Sequence, residues 1–138
     1  MNIRKRMQTE IVTLQVNEPL ANAVEATASE QIRHLPILDG DRLVGMVSDR
    51  DIKQALPSAI IEGNKAEYDR VLRETPVRRI MRVSPITVGP SASLADVIRL
   101  MLDHRISAIP IVEGGKLVGL LTDTDVLQAF LELLETLE

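Results

Sequence analysis

The sequence has no cysteine and no tryptophan, and Tyr68 and Phe130 are its only tyrosine and phenylalanine. Without cysteine there is no thiol nucleophile, no thiolate metal site and no disulfide, a composition that suits a reducing cytoplasm. With so few aromatic rings, the core must be built from Ile, Leu, Val, Met and Ala. A flat ligand would then be held by aliphatic walls rather than by ring stacking. No run approaches the roughly 18 apolar residues that a membrane span needs. The basic start, Met1 to Met7, is not followed by the apolar stretch of a signal peptide. A formal net charge of −4 argues against a nucleic-acid surface. The short basic runs Arg4-Lys5-Arg6 and Arg78-Arg79 read as solvated charge. Histidine is also scarce: His34 and His104 stand in dissimilar contexts. No Ser-His-Asp spacing, metal-ligand cluster or phosphate-binding loop accompanies them. Asp49 and Asp51, like Asp123 and Asp125, are two residues apart at a helix start, where two carboxylates do not converge on one cation. These absences make an enzyme the weaker reading.

What is present is a repeat. The stretch Leu35-Pro36-Ile37-Leu38-Asp39-Gly40 through Leu43-Val44-Gly45-Met46-Val47-Ser48-Asp49-Arg50-Asp51 returns as Ile109-Pro110-Ile111-Val112-Glu113-Gly114 through Leu117-Val118-Gly119-Leu120-Leu121-Thr122-Asp123-Thr124-Asp125. The offset is 74 residues, and it also joins Met7 to Met81, Thr13 to Thr87, Leu20 to Leu94 and Ile32 to Ile106. A repeat of this size is one supersecondary unit used twice.

Each copy reads as β-α-β-β-α, so the fold class is α/β (α+β). A short extended piece opens it, Ile11 to Val16 or Ile86 to Val88. A helix follows. In the second copy Leu94, Val97, Ile98, Met101 and Leu102 form one amphipathic stripe, and Ser93 with Asp96 makes a capping box. In the first copy Pro19 suits a first helical turn. Asp39-Gly40-Asp41 and Glu113-Gly114-Gly115 are hairpin turns. Ser48 and Thr122 then cap the closing helices. The expected division is 1–56 for the first repeat, 57–76 for a linker and 77–138 for the second repeat with a C-terminal helix. Pro57 would stop the first repeat's last helix, and Asn64 would cap a short helix over Lys65 to Arg73. The stripe Val126, Phe130, Leu133, Leu134 and Leu137 runs past the end of the repeat, and a neighbouring subunit is the natural cover for it.

The doubled pattern of Thr, helix, apolar-Pro-apolar-apolar, Gly turn and Leu-Val-Gly-x-x-(Ser/Thr)-x-x-Asp resembles the cystathionine-β-synthase (CBS) domain. The likeness covers roughly Met1 to Leu131. It is similar, more closely, to the CBS part of acetoin-utilisation-type proteins, which usually carry a further ACT domain that has no counterpart in these residues. The resemblance implies two CBS repeats packed as a pseudo-twofold pair, a Bateman module. Clefts between the repeats would bind an adenosine-containing ligand: AMP, ADP, ATP, S-adenosylmethionine or NAD. It also implies a homodimer that regulates a partner protein of unknown identity. The competing class is a structural dimerisation module with vestigial clefts, and calorimetry with adenosine ligands separates the two.

The candidate binding residues follow from position. Ser48 and Thr122 begin helices directly after strands, where free N–H groups and a hydroxyl favour a phosphate. Asp51 and Asp125 lie three residues on, near enough to accept from ribose hydroxyls, and similarity to the family makes them the ribose-binding aspartates. An Asp in a first turn also complements the helix dipole on its own account. The adenine walls would be Thr13, Leu35 and Pro36 in the first repeat, and Ile86, Thr87, Ala108, Ile109 and Pro110 in the second. Most of these serve equally well as core. Met7 and Met81 could line a pocket or fill a core. Arg33, His34 and Arg50 are the phosphate-binding candidates. Ser107, Ala108 and Thr124 stand at the matching positions of the second repeat. No metal and no obligatory cofactor is expected.

Overall fold

The computed structural model describes residues 1–29, 31–56 and 64–138. Pro57 and its expected helix-stopping role lie outside the described residues. The chain divides into two compact units whose limits cut across the repeat. The first unit is Val12–Pro85; the second joins Met1–Ile11 to Ile86–Glu138. The eleven residues that open the chain therefore pack with the second repeat, and the stretch that introduces the second repeat packs with the first.

In the first unit, β1 (Leu14–Gln15) runs parallel to β2 (His34–Asp39), with Leu14 opposite Ile37. β2 turns back into β3 (Arg42–Ser48), and β4 (Arg82–Val83) adds antiparallel to β3, with Arg82 opposite Met46. The helices are α1 (Leu20–Ala26), α2 (Asp49–Ala55) and α3 (Lys65–Glu74). The second unit repeats the plan with α4 (Leu94–His104), the hairpin β5 (Ala108–Glu113) and β6 (Lys116–Thr122), and α5 (Asp123–Leu137). Its opening strand is a single parallel bridge, Val88 to Ile111, and an antiparallel bridge joins Gln8 to Leu120 where β4 stands in the first unit. Both copies thus follow β-α-β-β-α, with opening strands shorter than the sequence suggests. Among the described residues no helix is long and apolar enough to cross a membrane.

The local signals explain the elements. Gly114 and Gly115 both have positive φ, 61° and 81°, the backbone that a two-residue hairpin turn of the primed type demands. Ser48, Ser93 and Thr122 each close a capping box with the Asp three residues on. At α4 the hydroxyl and backbone N–H of Ser93, with Arg99 adding less, hold the Asp96 carboxyl below its ordinary range. Pro19 is the N-cap of α1 rather than its first residue, and the N–H of Leu20 finds the carbonyl of Thr75 at 2.7 Å.

Each unit has its own core. In the first, Leu14, Leu20, Ala23, Leu35, Ile37, Val47, Ile52 and Val77 are buried together, with Val71 and Leu72 of α3 packed against them. The inter-repeat helix is therefore part of the first unit's packing. In the second, Ile3, Leu94, Val97, Met101, Ile109, Ile111, Leu121 and Ala129 form the core. The sequence places Leu102 on this stripe, but it is 73% exposed. At eight residues beyond Leu94 it has rotated to the edge of the apolar face, near the helix end.

Candidate functional site

Both hydroxyl–carboxylate pairs form as capping boxes, each within one unit. Asp51 Oδ2 accepts from the Ser48 backbone N–H at 2.9 Å, and Ser48 Oγ accepts from the Asp51 N–H at 3.1 Å. Asp125 Oδ2 accepts from the Thr122 N–H at 2.8 Å and from its hydroxyl at 3.0 Å. The box consumes one carboxylate oxygen. It leaves the second, Oδ1, as the group with which each aspartate can meet something else.

Two straps, the segments of Gln8 and Arg82 that pair with β6 and β3, decide what reaches that carboxylate. Arg82 in β4 donates from Nε to Asp51 Oδ1 at 3.2 Å. At the matching position of the second unit stands Gln8, whose Nε2 donates to Asp125 Oδ2 at 3.0 Å. Asp125 Oδ1 accepts no bond among the described residues. Asp51 is buried, at 9%, and Asp125 is half-buried. Neither Arg82 nor Gln8 is among the sequence-derived candidates. The available signal was their spacing: they are 74 residues apart, each directly after a matched methionine.

The other candidates are distributed as follows. His34 lies opposite Ser48 in the β2–β3 register, and the Arg33 carbonyl accepts from the Asp49 N–H at 2.9 Å. Arg50 is exposed in the first turn of α2. Thr13 is half-buried, next to Leu14 of β1. In the second unit Ala108 lies opposite Thr122, and the Ser107 carbonyl accepts from the Asp123 N–H at 2.9 Å. Thr87 and Ile86, both half-buried, precede Val88, whose N–H donates to the Pro110 carbonyl at 3.2 Å. Leu35, Pro36, Ile109 and Pro110 have essentially no exposed surface, and Leu35 and Ile109 belong to the two cores. Their side chains are spent on packing. Met7 and Met81 are spent likewise, each lying over a strand glycine, Gly119 and Gly45 respectively. Among the described residues no group of three or more His, Asp or Glu side chains could hold a metal ion.

The family model of the CBS domain matches residues 2–58 and again residues 77–132. The chain belongs to the CBS domain family. A CBS domain-containing protein of Dictyostelium discoideum is 26% identical over 135 residues, which is 96% of this tandem chain and 93% of the relative. The crystal structure of a Vibrio cholerae protein assigned to acetoin utilization is similar with a TM-score of 0.79 at 30% identity, over 98% of this chain and 93% of that one. A crystal structure of CBSX2 in complex with AMP is similar with a TM-score of 0.76 at 26% identity, over 96% and 97% of the two chains. Some relatives are longer, and the CBS pair spans 40% of one from Methanocaldococcus jannaschii.

Proposed function

We propose that this CBS pair is a regulatory, non-catalytic module that senses an adenosine-containing ligand, of the class AMP, ADP, ATP, S-adenosylmethionine or NAD. The observation that carries the reading is the twice-built arrangement of a helix-start hydroxyl, Ser48 or Thr122, locked to a carboxylate three residues on, Asp51 or Asp125. The box orients the carboxylate as a fixed acceptor, the chemistry that a ribose hydroxyl calls for. The similarity to CBSX2, solved with AMP, supports the same ligand class. Thr13, Ser48 and Asp51 would serve in the first unit, and Ile86, Thr87, Ala108, Thr122 and Asp125 in the second. Arg33, His34 and Arg50 would face phosphates. Leu35, Pro36, Ile109 and Pro110 would contribute through their backbone. The absence of cysteine suits a cytoplasmic protein.

Titration calorimetry with AMP, ADP, ATP, NAD and S-adenosylmethionine tests this. At least one ligand is expected to bind below the millimolar range. The double change Asp51→Asn and Asp125→Asn, which keeps an acceptor for the cap, is expected to weaken that binding about tenfold or more, the worth of a hydrogen bond to a charged group. Binding of none would refute the sensing reading in favour of a structural module.

A sensing module passes its state to another molecule, and the reading includes a homodimer. Leu127, Phe130, Leu131, Leu134 and Leu137 lie exposed along α5, while Val126 and Ala129 of the same helix join the core. An apolar stripe of this extent marks an interaction surface. Light scattering is expected to give about twice the 15.3 kDa of one chain. Leu134→Glu should return the monomer mass, and an unchanged mass would remove α5 from the interface.

A further inference from the structure

The two halves are alike in backbone but differ in charge around the matched aspartates. Around Asp51 stand Arg33 and His34, whose backbone frames the start of α2, Arg50 in its first turn, and Arg82 on the carboxylate itself. The matching positions around Asp125 are Ser107, Ala108, Thr124 and Gln8. Each of the four changes from basic to uncharged. In the first half three guanidiniums outnumber the carboxylates of Asp49 and Asp51. In the second, none of the four positions carries a basic residue. Arg82 binds Asp51 through Nε alone, its side chain is 71% exposed, and its terminal nitrogens have no partner among the described residues.

This difference bears on which ligand each half accepts. A phosphate brought near a buried carboxylate is repelled, strongly where water is displaced. Arg82 offsets that repulsion at Asp51 and offers a planar pair of donors, the geometry that suits phosphate oxygens. Gln8 orients Asp125 through a neutral amide and leaves the negative charge in force. We infer, resting on the sensing reading above, that Arg82 and Gln8 set ligand charge: the Asp51 half takes a phosphorylated adenosine ligand, and the Asp125 half takes an uncharged one.

The test is calorimetry of the full chain with two probes, AMP and adenosine. Arg82→Gln is expected to weaken AMP binding about tenfold or more while adenosine moves less than about threefold, and Arg82→Lys should retain most of the AMP affinity. Gln8→Arg is expected to weaken adenosine and to add a second AMP per chain. Arg82→Lys is the deciding variant, because a merely structural role for the Arg82 Nε–H would weaken AMP as much in Arg82→Lys as in Arg82→Gln. Equal losses for both probes in Arg82→Gln, or AMP binding that survives within threefold, would overturn this inference alone. If the unaltered chain binds neither probe, the sensing reading falls, and this inference with it.

Discussion

Replacing Ile3 with alanine is expected to lower the unfolding free energy by about 3 kcal/mol, as much as a truncation in the middle of a core strand. A third residue would ordinarily be dispensable, since chain ends are poorly ordered unless something ties them down. Here burial decides. Ile3 has no exposed surface and packs with Leu94, Val97, Met101, Ile109, Ile111, Leu121 and Ala129. The strap around it is held at several points. Asn2 caps the turn that carries Ile3, the Met1 carbonyl accepts from the Leu94 N–H at 3.0 Å, and Gln8 and Leu120 exchange backbone bonds of 2.8 and 2.9 Å. The surroundings cannot collapse into the vacated volume without breaking these bonds, so the cavity term is added to the lost transfer energy. Urea unfolding of the two proteins at equal slope measures the difference. Val77 takes the corresponding place in the first unit, also fully buried. Val77→Ala is expected to cost somewhat less, since fewer atoms are removed. A change below about 1 kcal/mol for Ile3→Ala would mean that the strap is not an integral part of the second core.

The exchange of straps is also where sequence reading stops. The offset of 74 residues, the hairpins, the capping box at Ser93 and the N-caps at Ser48 and Thr122 are written in local chemistry: a glycine where φ must be positive, a Ser or Thr at a helix start. Those features are read from neighbours along the chain, and they formed. Which core receives Ile3 or Val77 is settled by contacts with residues far along the chain, and the repeat is blind to it, because each strap bears the same spacing to the repeat that follows it. The candidate site divides in the same way. Ser48 with Asp51 and Thr122 with Asp125 came from local spacing. The buried Leu35 and Ile109 were ambiguous because an aliphatic side chain suits a pocket and a core equally, and only packing tells them apart. Arg82 and Gln8 stayed hidden because a basic or amide residue on a short strap reads as solvated surface until its partner strand is known. Helical period made Phe130, Leu133, Leu134 and Leu137 of the exposed stripe on α5 legible, but Val126 turns to the core, and the exposed Leu127 and Leu131 were not on the stripe it gave.

The matched glycines carry the second large effect. Gly45→Ala is expected to destabilise the chain by about 2 kcal/mol, and Gly119→Ala by about 1 kcal/mol or less. Neither glycine is needed for its backbone angles, so alanine would otherwise be harmless, or mildly favourable through the unfolded state. The obstacle is the strap lying on β3 or β6. A Cβ at Gly45 would come within 2.5 Å of the Met81 sulfur, 2.9 Å of its Cγ and 3.1 Å of the Arg82 carbonyl oxygen. At Gly119 the sulfur of Met7 is equally near, but the Gln8 carbonyl oxygen stands off at 3.4 Å. A thioether can swing aside at modest cost, because Met is the most adaptable of the apolar side chains. A carbonyl in a paired β4 cannot, since moving it disturbs the antiparallel register of Gly45 with Val83 and of Met46 with Arg82. The difference between the two substitutions thus isolates the backbone component. Combining Gly45→Ala with Met81→Ala removes the side-chain component, and the pair should show a favourable coupling of about 1 kcal/mol in a double-mutant cycle. Equal costs at Gly45 and Gly119, or a coupling near zero, would show that the straps yield freely. In that case the carboxylate partners they carry, Arg82 on Asp51 and Gln8 on Asp125, would not be held at fixed distances either.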